Sequence, residues 1–195
     1  MNGFQKFWGH LSTITRHRHK VIAHCARAGI LWQGLRHDLS KYSPTEFWQG
    51  VKFFDGTHSP TEDERRTLGY SLAWMHHKGR NRHHWEYWTD LDMQTKAYAA
   101  VPMPPKYLAE MVADRIAACK TYQGSAYTDA SALGYLERSN EARLMHPDTV
   151  RALRFLLTKL RDEGERAAFC YIKTCLRKNV PFCGQETQSG TIVGI

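Results

Sequence analysis

The first segment of the chain places apolar side chains at the three- and four-residue intervals of an α-helix. Over residues 4–28 these intervals line one helix face, which must pack against other elements to leave water. No stretch elsewhere shows the alternation of apolar and polar residues that marks a half-buried strand. We therefore predict an all-α fold, a single-domain helical bundle. The apolar positions of the first helix are Phe7, Leu11, Ile14, Val21, Cys25 and Ala28.

Helix start signals recur along the rest of the chain. Two Ser-Pro-Thr-Glu tetrapeptides begin at Ser43 and Ser59, and each offers a serine N-cap, a proline at the first helical position and a glutamate to complete a capping box. The first tetrapeptide predicts a helix through the following Glu-Phe-Trp-Gln-Gly-Val-Lys-Phe-Phe segment, and the second predicts a longer helix reaching about Met75. A short helix before His37, and others at about 105–122, 146–160 and 165–178, complete the prediction.

Length and composition fit one soluble domain. The chain has 195 residues, of which 42% are hydrophobic and 24% charged, enough to enclose a full core. We predict a domain over residues 1–178 and a flexible tail over 179–195. The longest apolar runs are too short to cross a membrane, and the N-terminal segment lacks the apolar core of a secretory signal. We therefore expect a cytoplasmic protein with no membrane contact.

The net charge indicates which ligands the protein could attract, and the cysteine content indicates the state of its thiols. The formal net charge is +8, which either solubilises the surface or attracts an anion such as a phosphate-bearing small molecule, a nucleotide or a nucleic acid. The five cysteines are an odd number and form no CxxC pair, so reduced thiols are expected instead of disulfides or a zinc knuckle. The oligomeric state does not follow from these features.

The clearest functional signal is the grouping of the histidines. His37 is followed directly by Asp38, and an imidazole beside a carboxylate can bind metal. The segment at 76–88, HHKGRNRHHWEYW, holds two histidine pairs, His76-His77 and His83-His84, among several cations. A solvated surface has no reason to gather so many imidazoles, and the intervening glycine and asparagine predict a turn that brings the pairs together.

Two further residues are candidate metal ligands, but a purely structural role would also explain each of them. His17 borders the core-facing stripe of the first helix, seven residues from His10 and from His24, and a hydrogen-bonded core histidine would explain it equally well. Asp114 lies at the edge of an apolar helical stripe, where a carboxylate is costly unless it has a partner. Its alternative is a buried ion pair with an arginine. The adjacent Arg115 points about 100° away from Asp114 on the helix, so each of the two would need a partner from elsewhere.

The order of these residues resembles the HD superfamily of metal-dependent phosphohydrolases. That family's pattern is H…HD…D, extended to H…HD…H…H…D where two metal ions bind. The interval between the two later histidines is shorter here than in well-studied two-metal members, which leaves open the ligand within each pair and the number of ions. The matching positions are His17, His37-Asp38, His76 or His77, His83 or His84, and Asp114, with Val21, Lys41 and Arg115 as smaller matches.

This resemblance implies an HD-like helical bundle with a divalent transition metal, one or two ions of Mn, Fe, Co, Ni or Zn. It implies a phosphohydrolase that acts on a nucleotide or another phosphate ester through a metal-activated water. Asp38 would bridge the ions, and Lys41, Lys78 and Arg82 would neutralise phosphate charge. The metal ligands would come from His17, His37, Asp38, His76, His77, His83, His84 and Asp114.

Two other functions stay open. An HD-type site can hold two iron ions and activate dioxygen, as the resemblance to inositol oxygenase implies. Alternatively, the tryptophan and tyrosine residues that accompany the cations of the 76–88 segment favour a non-catalytic domain that binds a nucleotide or nucleic acid.

The motifs HDLSKYSPTEF, HHKGRNRHHWEYW and ADRIAACKTY resemble, more narrowly, a bacterial and phage family described as a domain of unknown function. This resemblance covers roughly residues 10–165. It implies a helical fold and no established reaction.

Overall fold

Helices carry most of residues 1–182, the part of the chain that a computed structural model describes. The fold is all-α, as predicted, apart from one small hairpin. Most of the tail predicted at 179–195 lies outside the described residues. The helices are α1 (Gly3–Ala28), α2 (Leu31–Arg36), α3 (Pro44–Phe53), α4 (Pro60–Leu68), α5 (Leu72–Lys78), α6 (Pro105–Gln123), α7 (Ser131–Arg138) and α8 (Pro147–Lys178).

Helix α1 confirms the prediction for residues 4–28 and lies at the centre of the fold. Asn2 and Gln5 form a capping box at its start, and Gly29 ends it in the left-handed conformation with φ of 81°, which glycine adopts without strain. The helix packs against α2, α3, α6 and α8. Its buried stripe includes three histidines beside the apolar residues: His10, Ile14, His17, Val21, His24, Cys25 and Ala28.

The long helix predicted from Ser59 to about Met75 is wrong, because two helices occupy this stretch. Helix α4 ends before Gly69, whose φ is 81°, and α5 begins after Ser71. The buried carboxylate of Glu64 accepts hydrogen bonds from the Ser71 hydroxyl and from the backbone N–H groups of Leu72 and Ala73. These bonds satisfy the free N–H groups at the start of α5 and so fix the break.

The two predicted capping boxes are also wrong, although both helices begin where they were expected. Pro44 and Pro60 occupy the first turns of α3 and α4, but neither preceding serine caps its helix with its side chain. The Glu46 side chain instead faces two histidines of α5. A start signal therefore located the helices without revealing what the glutamate binds.

One hairpin interrupts the helical pattern between α5 and α6. Strands β1 (Thr89–Leu91) and β2 (Tyr98–Ala100) pair antiparallel and lie mostly exposed. The Asp92 carboxylate accepts hydrogen bonds from the backbone N–H groups of Gln94 and Thr95, which closes the loop. With three residues in each strand, the alternation was too short to indicate strands from the sequence.

The apolar core lies between α1, α6, α7 and α8. Leu108 and Ile116 of α6 pack in one cluster with Leu136 of α7 and Leu156 of α8. Gly164, at φ 80°, kinks α8, so its two halves correspond to the helices predicted at 146–160 and 165–178. The four cysteines within residues 1–182 are free thiols. Over the same residues, no helix combines the length and the apolar character that a membrane span needs.

Candidate metal centre

The His37-Asp38 pair occupies a sharp turn between α2 and a 3₁₀ turn at Leu39–Tyr42. Asp38 adopts the left-handed conformation with φ of 55°, which is uncommon outside glycine but tolerated by aspartate. The Arg18 guanidinium of α1 donates hydrogen bonds to the carbonyl oxygens of Leu35 and His37. Both His37 and Asp38 are 1% exposed, so this turn directs an imidazole and a carboxylate into the interior.

A first group of potential ligands gathers around Asp38 Oδ2. His17 Nε2 of α1 lies 2.9 Å from Asp114 Oδ1 of α6. His37 Nε2 lies 3.3 Å from Asp38 Oδ2 and 3.5 Å from Asp114 Oδ1. Ligand atoms of all four residues fall within 4.8 Å of one another, which is close enough for one metal ion to contact them all.

A second group gathers around the other oxygen of the same carboxylate. His77 Nε2 and His83 Nε2 lie 3.3 and 3.5 Å from Asp38 Oδ1. His77 Nε2 also lies 2.9 Å from His84 Nε2. The turn after α5, in which Asn81 N–H donates to the His77 carbonyl, brings these histidines together as predicted. Asp38 is thus common to two groups, the second being Asp38, His77, His83 and His84.

Several atoms that face one another in these groups are buried without a directed hydrogen bond, although two of them lie in ion contact with Asp114 or Lys41. The atoms are His17 Nε2, His37 Nε2, His83 Nε2 and both carboxylate oxygens of Asp38. Leaving one such atom unsatisfied in a protein interior costs about 1–3 kcal/mol. Five of them converging in one place therefore indicate a cluster that could hold a metal ion.

Two glutamates that were not predicted orient the imidazoles. Glu110 Oε1 lies 2.9 Å from His37 Nδ1 and 3.2 Å from His83 Nδ1, while Glu46 Oε2 lies 2.8 Å from His77 Nδ1. Each carboxylate accepts a hydrogen bond from an Nδ1–H, so the Nε2 atom of each ring is the one that faces the cluster. Metal-binding histidines are commonly held in this way. A possible signal for Glu110 was its position four residues before Asp114 on one helix face.

The carboxylates make the cluster attractive to cations. Burial alone would raise the pKa of Glu110, but hydrogen bonds from His37 and His83 outweigh it and lower the pKa to about 2. Burial also opposes ionisation of Asp38, yet the charges of His37 and Lys41 bring its pKa well below the usual value. These two carboxylates are therefore ionised at neutral pH although they are buried.

Of the other residues predicted for the site, one contacts a ligand group and the rest lie outside both groups. Lys41 Nζ lies 2.6 Å from Asp38 Oδ2, at the edge of the first group. His76 is part of neither group, because its Nδ1 donates to Glu46 Oε1 at 2.6 Å. Lys78 lies at the end of α5, and Arg82 donates to the Tyr107 hydroxyl at 3.1 Å. Of the predicted cations, Lys41 is the one that contacts Asp38.

The contacts of His17 and Asp114 differ from those of their neighbours in the sequence. His10 packs against the rings of Phe47 and Phe54, and His24 stacks on Phe169, so these two neighbours of His17 belong to the core. Arg115 pairs with Glu141 at 2.6 Å, whereas Asp114 faces histidines. The structure therefore shows no Asp114–Arg115 ion pair.

Comparisons with known proteins agree with the narrower of the two resemblances. No similar protein was found among curated proteins, and none among solved structures. One family model matches residues 6–159, a range that includes every residue of both ligand groups. Since this match covers most of the chain, the protein belongs to the Family of unknown function (DUF5662).

Proposed function

We propose that the protein is a metal-dependent phosphohydrolase that acts on a nucleotide or another phosphate ester. The observation that supports this proposal most directly is the convergence, around Asp38, of five buried atoms without directed hydrogen bonds. Ion contacts, such as that of Lys41 Nζ with Asp38 Oδ2 at 2.6 Å, offset part of the cost of burying these atoms. Bound cations would satisfy the remainder.

The side chains fit a divalent transition metal. His17, His37, Asp38 and Asp114 would hold one ion, and His77, His83 and His84 would hold a second that shares Asp38. Imidazole and carboxylate ligands suit Mn, Fe, Co, Ni and Zn. When bound, such an ion lowers the pKa of water toward neutrality, the chemistry that phosphoester hydrolysis requires. The sequence order of these residues, which resembles the HD superfamily, supports the same proposal.

The remaining groups position the ligands and an anion. Glu110 and Glu46 hold the Nδ1–H groups of His37 and His77. A cavity of about 90 Å³ adjoins the cluster and shares Lys41 and His77 with it. The Lys41 ammonium, placed between this cavity and Asp38, would pair with a phosphate oxygen and neutralise part of the charge that develops during hydrolysis.

This lysine favours hydrolysis over the alternative of a di-iron oxygenase. Both functions can use the same ligand types, but an anionic substrate gains from a fixed cation beside the ions. Dependence of turnover on iron and dioxygen would identify the oxygenase, because hydrolysis needs neither.

The test is elemental analysis of protein purified without a histidine tag, followed by assays with a panel of nucleotides and phosphate esters. We expect bound transition metal in the wild type and its loss in His37→Ala and Asp38→Ala, together with loss of turnover. His24→Ala removes a buried histidine of α1 outside the cluster and should keep the metal. Equal metal content in all four proteins would refute the proposal.

A further inference from the structure

A second and larger cavity lies beside the metal centre, and none of the roles described above accounts for it. It has a volume of about 660 Å³ and runs along α2, the turn after α5 and the start of α6. His83 and Glu110 form part of its wall. We call it the basic groove and define it by the side chains Trp32, Arg36, Arg80, Arg82, Lys106 and Tyr107.

The positive charge of the groove is not balanced by nearby acids. Within residues 1–182, none of its four cations lies within ion-pair distance of a carboxylate: Arg80 donates to the His76 carbonyl and Arg82 to the Tyr107 hydroxyl. The carboxylate in the wall, Glu110, already accepts from Gln33 and from two histidines. Four like charges facing one open groove repel one another, so an anion that entered would be bound favourably.

Aromatic rings lie among these cations. Trp32 is 80% exposed, an unusual position for the largest apolar side chain. The Arg82 guanidinium lies 5.5 Å from the ring centre of Tyr87 and 5.8 Å from that of Tyr107, and these two contacts hold it at the groove. An exposed ring beside fixed guanidinium groups offers both a stacking surface and phosphate contacts.

We propose that the basic groove binds single-stranded nucleic acid. The phosphates of a single strand are regularly spaced and can pair with the cations of the groove, and its unpaired bases can stack on Trp32. A duplex keeps its bases stacked inside and would leave Trp32 without a partner. The volume accommodates a nucleotide unit, and the cations come from three separate elements, as expected for a strand that runs through the groove.

This inference does not depend on the proposed hydrolase. The four cations are absent from both ligand groups, so binding can be measured in the presence of a chelator. A failure of the metal proposal and a failure of the nucleic-acid proposal can therefore be told apart.

The experiment uses the full chain and a fluorescently labelled oligothymidylate of about 16 nucleotides, with fluorescence anisotropy recorded over a range of salt concentrations. The Arg36→Glu/Arg80→Glu variant reverses two groove charges. Its control, Arg166→Glu/Arg177→Glu, makes the same change in net charge at exposed positions of α8 outside the groove. Trp32→Ala removes the stacking ring, and Trp32→Phe retains an aromatic one.

We expect Arg36→Glu/Arg80→Glu to lose most of the affinity for the oligothymidylate. The slope of log affinity against log salt should be shallower than in the wild type by about 0.7 for each arginine replaced. Trp32→Ala should weaken binding roughly tenfold or more with an unchanged slope, and Trp32→Phe should recover part of the loss. Thermal unfolding should be similar in all variants, because these side chains lie at the surface.

Three results would overturn the proposal. The first is absence of binding by the wild type, and the second is an equal loss of affinity in the α8 control, which would indicate non-specific attraction. The third is equal affinity for thymidine monophosphate, which would assign the groove to free nucleotides.

Discussion

Asp38 combines two energetic costs in one residue. Its backbone has a positive φ, and both of its carboxylate oxygens are buried without a directed hydrogen bond, with the Lys41 ammonium in ion contact with one of them. A left-handed aspartate at a turn costs on the order of 1 kcal/mol, and burial of the carboxylate, which Lys41 offsets in part, adds to that. Such costs persist where function requires them. The turn lets the side chains of His37 and Asp38 contact different partners, so two adjacent residues can both belong to one cluster.

Glu110 allows a test of how the imidazoles are held. In Glu110→Gln the side chain keeps its shape but loses its charge, and its amide N–H₂ would face either the Gln33 amide or the histidine N–H groups, all of which are donors. His37 and His83 should then turn away from the cluster. We expect metal affinity to fall roughly 10- to 100-fold, measured by competition with a metal indicator.

The matched control is Glu141→Gln, the same change at the partner of Arg115, outside the ligand groups. It should destabilise the protein without changing metal affinity. If both variants lowered metal affinity equally, Glu110 would be a general structural residue and not a positioning residue for His37 and His83.

At the scale of elements, the position of the His37-Asp38 turn depends on how closely α2 approaches α1. Gly34 faces α1 so tightly that an added Cβ would lie 2.5 Å from Cys25 Cβ and 3.4 Å from the backbone of Ile22. A side chain at this position must therefore separate the two helices. Because α2 ends at Arg36, directly before His37, such a displacement would be transmitted to the candidate metal centre.

We therefore expect Gly34→Ala to destabilise the protein by about 1–3 kcal/mol, against the gain of up to about 1 kcal/mol that alanine brings to an unhindered helix. Metal affinity should fall in the same variant. Urea unfolding and indicator competition measure the two effects. Gly3→Ala is the control, since nothing lies within 4 Å of its added Cβ. Equal behaviour of the two variants would contradict this role for the α1–α2 approach.

The sequence predicted elements well where local signals govern them. The apolar stripe of α1 and the prolines before α3, α6 and α8 located those helices within a few residues. The predictions from the sequence failed where a side chain distant in the chain determines the local structure. Glu64 accepts hydrogen bonds at the start of α5. Glu46 was assigned to a helix cap and instead contacts histidines. A local pattern carries no information about such contacts.

At the scale of the whole molecule, the centre brings together residues that lie far apart in the chain. The histidines and aspartates were candidates because their types and order were unusual, and the structure gathers seven of the eight predicted ligands into two groups. The exclusion of His76 and the contribution of Glu110 depend on which way each side chain points after α5 and α6 have packed. That orientation is a property of the tertiary structure, and a single sequence does not state it.

Buried histidines outside the centre give the whole fold a pH dependence. Burial, assisted by the charge of Lys41, lowers the pKa of His10 from 6.5 to about 4. Burial also lowers the pKa of His24 to about 4, although the Ala113 carbonyl and Glu165 oppose it. Below about pH 6.5 the unfolded chain takes up protons that the folded chain does not bind. Stability should therefore fall as the pH drops from about 6.5 to about 4.

Each of these imidazoles should account for up to about 3 kcal/mol of that loss. We expect His10→Leu to make the unfolding free energy less dependent on pH by about one proton in this range, measured by urea denaturation with a chelator present throughout.

His19→Leu, at an exposed position of the same helix, serves as the control and should follow the wild type. Because the other titrating groups are unchanged, the difference between each variant and the wild type isolates the replaced histidine. If the pH dependence of His10→Leu matched that of the wild type, His10 would have to accept a proton in the folded state, and its neutral packing against Phe47 and Phe54 would be wrong.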